Sequence, residues 1–156
     1  MRRWPRDKRE TRETGEAGLP GRVLAVDWGE KRFGIALSDP LRMFAQPLIT
    51  LTRRAGKRAP VGPIADLITR HEVIEVVVGL PLTPEGSEGD AAAEARALGE
   101  AIGKRSGVPV HYLDERMTTA LAIRAQRTVG VRDREGRERI DQMAAVAILQ
   151  AWLDRR

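Results

Sequence analysis

Arg22 to Pro40 reads RVLAVDWGEKRFGIALSDP, and the fold turns on this stretch. Val23, Leu24, Ala25 and Val26 form an apolar run too short for a typical helix, the pattern of a strand buried on both faces. The run ends in Asp27, a carboxylate that is costly to bury unless something positive compensates it. Gly29 to Arg32 then make a tight polar turn, and Phe33 to Ser38 read as a second strand running back beside the first. An acid at the end of a central strand, near a glycine that lets a ligand approach the backbone, suits a metal or phosphate site. An Asp shortly before a glycine is equally an ordinary turn initiator, and the segment alone leaves both readings open.

Working outward, Gln46 to Thr52 read as a third strand and TRRAGKRAP (52–60) as a basic loop. Pro63 to Arg70 read as a helix, with Pro63 near its start and Ile64, Leu67 and Ile68 on one face. Val73 to Val78 form a buried strand, followed by the loop GLPLTPEGSEG, in which Ser87 and Asp90 are expected to cap the next helix. That helix runs from Asp90 to Ser106, with Ala91, Ala95, Leu98 and Ile102 as its apolar stripe and Gly107 and Pro109 ending it. Val110 to Leu113 are a short strand and Thr119 to Thr128 a helix. VGVRDREG (129–136) reads as a mobile polar loop, and Arg139 to Leu153 as the last helix. The order is a three-strand antiparallel meander, then two further strands joined through helices. It implies an α/β domain: a five-stranded mixed sheet, meander plus two parallel strands, flanked by helices.

At 156 residues the chain is long enough for one domain with a full core. The net charge is +5 and arginine far outnumbers lysine, which favours a polyanionic partner, nucleic acid first. There is no cysteine, which excludes disulfides and thiolate metal sites and fits a cytoplasmic protein. No apolar run approaches the length of a bilayer, so no membrane partner is expected. Residues 1–20, mixed in charge and without the apolar core of a signal peptide, are expected to be a disordered basic arm preceding one domain over 21–156.

Asp114 and Glu115 directly follow the strand that ends at Leu113, and Thr118 can cap the next helix. Side chains leaving the ends of adjacent parallel strands converge on one edge of a sheet, where ligands bind in open α/β folds. Asp141 lies near the start of the last helix, and Ala145, Ile148 and Trp152 follow it at helical spacing, which puts it on the inward face. A first-turn acid complementing the helix dipole is the plainer reading of the same residue. Three converging carboxylates would repel one another and raise their own pKa values unless cations neutralised them. Oxygen donors with neither Cys nor His in the motifs favour Mg²⁺ or Mn²⁺ over Zn²⁺. Two such ions can activate a water and stabilise the leaving oxygen of a phosphodiester, so a basic surface around an acidic centre describes a nuclease.

Four segments carry a resemblance: AVDWGEKRFGIALSD (25–39), VVVGLPLTPEGSEG (76–89), YLDERMTT (112–119) and RIDQMAAVAILQAWL (139–153). In order and spacing the chain after residue 21 resembles the YqgF family, also called RuvX-like or pre-16S rRNA nucleases. These are relatives of the RuvC Holliday-junction resolvases within the ribonuclease H-like superfamily. The resemblance implies that Asp27, Glu115 and Asp141 form an acidic, metal-holding triad, and that the GLPLTPEGSEG loop borders it. Successive strand residues point to opposite faces, so only one of Asp114 and Glu115 is expected to face the metal; the family pattern selects Glu115.

Lys31, Arg32, Arg116, Arg132 and Arg134 are candidate contacts to nucleic acid. Exposed turn cations such as Lys31 and Arg32 are otherwise simply solvated, and Arg116 can instead pair with Asp114 or Glu115. Trp28 reads as core or wall, and His71 and His111 as structural or surface residues. The resemblance implies 5′-end maturation of the small-subunit rRNA precursor. The RuvC kinship equally allows cleavage of four-way DNA junctions, which needs two sites related by two-fold symmetry and hence a homodimer. Two further classes stay open: an actin-like or sugar-kinase ATPase, for which the chain is short, and a non-catalytic RNA-binding or transcription-associated factor.

Overall fold

The computed structural model describes residues 20–53 and 56–155, with residues 127 and 128 described by their backbone alone. The arm expected over 1–20 therefore lies, save for Pro20, outside the described residues. Five strands, β1 (Arg22–Asp27), β2 (Arg32–Ser38), β3 (Ala45–Thr52), β4 (Val73–Leu80) and β5 (Val110–Asp114), form one sheet in the order β3-β2-β1-β4-β5. β3, β2 and β1 pair antiparallel, while β4 and β5 extend the sheet in parallel from β1. The helices are α1 (Val61–Arg70), α2 (Asp90–Ser106), α3 (Ala120–Val129) and α4 (Arg134–Asp154), with a single 3₁₀ turn over Glu115–Met117. This is the five-stranded mixed sheet that the sequence predicts.

Both sheet faces are covered, which is why β1, β2 and β4 read as mainly apolar runs, with Glu75 of β4 an exception. Leu24, Val26, Ile35, Leu37, Val76 and Val78 point to one face, under Ile64 and Ile68 of α1 and Ala95, Leu98 and Ile102 of α2. Val23, Ala25, Ala36, Val77 and Leu113 point to the other, under Ala144, Ala145, Ile148 and Leu149 of α4. The strand period of two puts Asp27 on the α4 face with Val23 and Ala25. Small residues on that face let α4 come close. A Cβ built on Gly34, the register partner of Asp27, would collide with the Asp141 carbonyl. Thr50 of edge strand β3 fixes the helix from the other side, its hydroxyl donating to the Glu138 carbonyl at 2.7 Å. At the far end Trp152 stacks on His111 and donates from Nε1 to Glu75 at 2.9 Å, so His111 has a structural place.

Several boundaries differ from the sequence reading, each for a local reason. Helix α1 starts at Val61, two residues before Pro63, and β4 runs on to Leu80, because Gly79 and Leu80 pair with Leu113 and Asp114. In α2 the buried stripe uses Ala92 rather than Ala91. Its N-cap is Gly89, with no side-chain cap, since Ser87 is instead hydrogen-bonded to Thr83 at 2.8 Å. The largest difference is α4, which begins at Arg134 instead of Arg139. Asp133 caps it by accepting the Gly136 amide at 2.9 Å, so a glycine that looked like a breaker sits inside the first turn. The expected loop over 129–136 shrinks to 130–133, and Asp141 lies two turns into the helix rather than near its start. A helix-dipole role for Asp141 falls away with that placement.

Candidate active site

Asp27 leaves the end of β1 between two strands that carry glycine at the same level. Gly34 of β2 is its register partner, and Gly79 of β4 follows Val78, the partner of Val26. Gly34 leaves room for the α4 backbone at Asp141, while a Cβ at Gly79 would stand 2.7 Å from Glu115 Oε1, so Gly79 leaves the space that the Glu115 carboxylate occupies. Glu115 enters that space from the 3₁₀ turn after β5. Leu113 already points to the α4 face, Asp114 to the opposite one, and Glu115 returns to the α4 side, fully buried. Asp141 comes down from α4. All three carboxylates are essentially sealed from solvent, at 2%, 0% and 1% exposure respectively.

What compensates them is Arg124 of α3. Its Nε donates to Asp27 Oδ2 at 3.2 Å and its Nη1 to Glu115 Oε2 at 2.9 Å; Nη2 is shared between Asp27 Oδ1 and Glu115 Oε1. Burial by itself would lower the Arg124 pKa, but the hydrogen bonds it donates to Glu115 and the charge of Asp27 hold it above its usual range, so it stays cationic. Burial pushes Asp27 from 3.8 up to about 7; Arg124 opposes that rise, while Glu115 and Asp141 add to it. Asp141 has its own cation, since Arg32 Nε donates to its Oδ2 at 2.8 Å. The cluster thus carries three acids and two guanidinium groups, an arrangement whose desolvation cost no surface site would incur.

The structure brings Asp27, Glu115 and Asp141 together and leaves Asp114 apart. Arg116 holds Asp114 through Nε at 3.1 Å and Nη2 at 2.7 Å, and this hydrogen bonding keeps the Asp114 carboxyl below its ordinary value. Arg116 thereby takes the pairing role that the sequence left open. Arg32 is turned inward onto Asp141 rather than solvated on the turn. Arg134 is helical and pairs with Glu138 at 3.1 Å, while Lys31 and Arg132 are exposed. Trp28 packs against the α1–α2 side of the core, as a wall residue.

Arg124 was not singled out by the sequence. A signal existed: it lies four residues after the fully buried Ala120 and one after Ile123, which also packs on the α4 core. It therefore sits on the inward side of an otherwise exposed helix.

The family model described as RuvX, Holliday junction resolvase, matches residues 21–155. The chain belongs to the RuvX family. Among its relatives, a protein of Mycobacterium sp. (strain KMS) named "Putative pre-16S rRNA nuclease" is 45% identical over 137 residues, covering 87% of this chain and 81% of the relative. A protein of the same name from Koribacter versatilis (strain Ellin345) is 40% identical over 140 residues, covering 90% of this chain and 91% of the relative. Among solved structures, Thermus thermophilus RuvC, in complex with a Holliday junction substrate, superposes with a TM-score of 0.50 at 18% identity. That match covers 86% of this chain and 95% of RuvC. The likeness shows a shared ribonuclease H-like fold. The matched span of the RuvX model begins where the described sheet begins, so the family unit and this sheet with its helices coincide.

Among the described residues no three acids or histidines stand arranged to hold an ion; the Arg124 guanidinium bridges the carboxylates of Asp27 and Glu115. The donor set nevertheless has the chemistry of a hard divalent-cation site: three buried carboxylates, oxygen only, two of them bridged by Arg124 and the third paired with Arg32.

Proposed function

We propose that this chain hydrolyses phosphodiester bonds of nucleic acid with Asp27, Glu115 and Asp141 as ligands of Mg²⁺ or Mn²⁺, and that it trims the 5′ end of the small-subunit rRNA precursor in the cytoplasm. The observation that carries the reading is the burial of three carboxylates from β1, the 3₁₀ turn and α4 at one place on the sheet, at a desolvation cost that no packing role requires. Family membership supports the reaction class, and the names of the relatives support the substrate. No described helix is long and apolar enough to cross a membrane.

A divalent cation bound there supplies Lewis acidity for the scissile phosphate and lowers the pKa of an attacking water. The chain's own residues do the rest. β1 and the 3₁₀ turn fix Asp27 and Glu115 on rigid elements, and Arg32 orients Asp141 through Nε. To serve as a ligand Asp27, which burial pushes up to about 7, would have to be deprotonated, so cation binding near neutral pH would release a proton.

The deciding experiment is Mn²⁺-dependent cleavage of precursor rRNA, a DNA four-way junction and linear single strands side by side. Preferential cut of the rRNA precursor near its mature 5′ end is expected. Preference for the four-way junction, together with a dimer by light scattering, would move the chain to the resolvase reading that the RuvX description and the RuvC fold favour.

Exposed cations set the affinity for the backbone. Replacing Lys31 and Arg132 with alanine should lower the slope of log affinity against log salt by about 0.7–0.9 for each phosphate left without its cation, with Mn²⁺ binding unchanged. An unchanged slope would return both to the solvated surface.

A further inference from the structure

Arg124 is the strongest feature that the proposed chemistry does not use. Its guanidinium bonds to both carboxylates that are to hold the cation, and its side chain is only 16% exposed. Two like-signed cations cannot share those oxygens in a buried space, so a divalent ion and Arg124 compete for one place. Leaving the cluster strips Arg124 of both its anionic partners. A buried or half-buried guanidinium without an anion is costly, and the group must find another carboxylate or phosphate. Asp114, the carboxylate directly before Glu115, is already held by Arg116. Asp141 is held by Arg32. The anion still to be supplied is a backbone phosphate of the nucleic acid entering the site, which presents the same fork-shaped acceptor.

We propose that Arg124 is a displaceable counter-cation that couples the two ligands of this enzyme: it occupies the cation's place until nucleic acid arrives, and the backbone phosphate takes the guanidinium as the metal takes the carboxylates. The inference rests on the metal-site reading above and adds a direction to it. Metal alone must break the Arg124 bridge with nothing to receive the released charge, and binds weakly. Metal together with nucleic acid has both charges matched, and binds tightly. By linkage the nucleic acid gains from the metal by the same factor. The carboxylates are thus kept from holding a free ion, and with it an activated water, when no substrate is present.

The test measures Mn²⁺ binding by electron paramagnetic resonance of the free ion, on the whole chain, with and without a short phosphorothioate RNA that resists cleavage. Wild type is expected to bind Mn²⁺ about tenfold tighter with the RNA than without it. Arg124→Gln should bind Mn²⁺ about tenfold tighter than wild type in the absence of RNA, and gain severalfold less from adding it. Arg124→Lys, which keeps a charge but not the planar fork, should fall between the two and serves where the glutamine variant folds poorly. A tighter-binding variant is a result that mere structural damage does not produce. Equal Mn²⁺ affinity in wild type and both variants, or equal gain from RNA in all three, overturns the proposal. Failure of the underlying site is read separately: Asp27→Asn that leaves Mn²⁺ binding intact in every background removes the metal-site reading itself.

Discussion

Asp27→Asn is expected to lower Mn²⁺-dependent cleavage by more than about a hundredfold, since loss of a group that merely orients a metal ligand already costs about 10–100-fold. Glu115→Gln and Asp141→Asn should do the same, because each replaces a proposed metal ligand with an amide of equal shape. The fold should survive, as the substitutions remove charge rather than volume. In the Asp27 variant the metal-free protein should become more stable in a pH-dependent way, and the sign follows from its pKa. The folded state raises Asp27 from 3.8 to about 7, so it binds that proton more tightly than the unfolded chain does. The stability that this proton contributes is complete below about pH 4 and is lost as pH rises through about 7. Asparagine is neutral throughout and escapes the loss. Calorimetry in the presence of a chelator should therefore find Asp27→Asn ahead of wild type at pH 8 by several degrees, with the gap closing toward pH 5. A gap independent of pH would mean that Arg124 fully compensates the charge. Retention of most Mn²⁺-dependent cleavage would sink the assignment of Asp27 as a ligand.

The sheet was legible because its strands are short, apolar and bounded by turn residues, and the order of acids and glycines along the chain placed Asp27 at a strand end. The choice between Asp114 and Glu115 was not legible from periodicity. A period of two says that they face opposite sides, but which side α4 covers is set by Ala25, Gly34 and Ala36 on other strands. The start of α4 was hidden because Gly136 carries a low helix propensity, and the cap that overrides it is a single side-chain hydrogen bond from the Gly136 amide to Asp133. Arg32, Arg116 and Arg124 show the limit of reading arginine as surface charge. Arg32 and Arg124 meet acids 109 and 97 residues away, pairs that only the fold brings together, whereas Arg116 pairs with Asp114 two residues before it, a role the sequence already offered. With 27 Lys and Arg to 22 Asp and Glu, composition cannot say which cations turn inward.

Gly34→Ala carries the largest expected effect on stability. The added methyl group would meet the backbone of α4 at Asp141, not the end of a flexible side chain, so neither a rotamer change nor a local shift of one residue relieves it. Overpacking a core by a methylene costs about 1–3 kcal/mol where side chains can give way. Here the helix itself must lift from β2, and a loss of at least about 3 kcal/mol is expected, roughly 6–12 °C in melting temperature for a chain of this size. The same movement withdraws Asp141 from Asp27, which faces Gly34 across the β1–β2 register, so cleavage should fall with stability even well below the melting temperature. Gly130→Ala is the matched control, because a Cβ there meets nothing within 4 Å and its φ of −166° lies outside the left-handed region. It should melt within about 0.5 kcal/mol of wild type. Equal melting of the two variants would show that α4 does not rest on Gly34, and the close approach that brings Asp141 to the other two acids would need another cause.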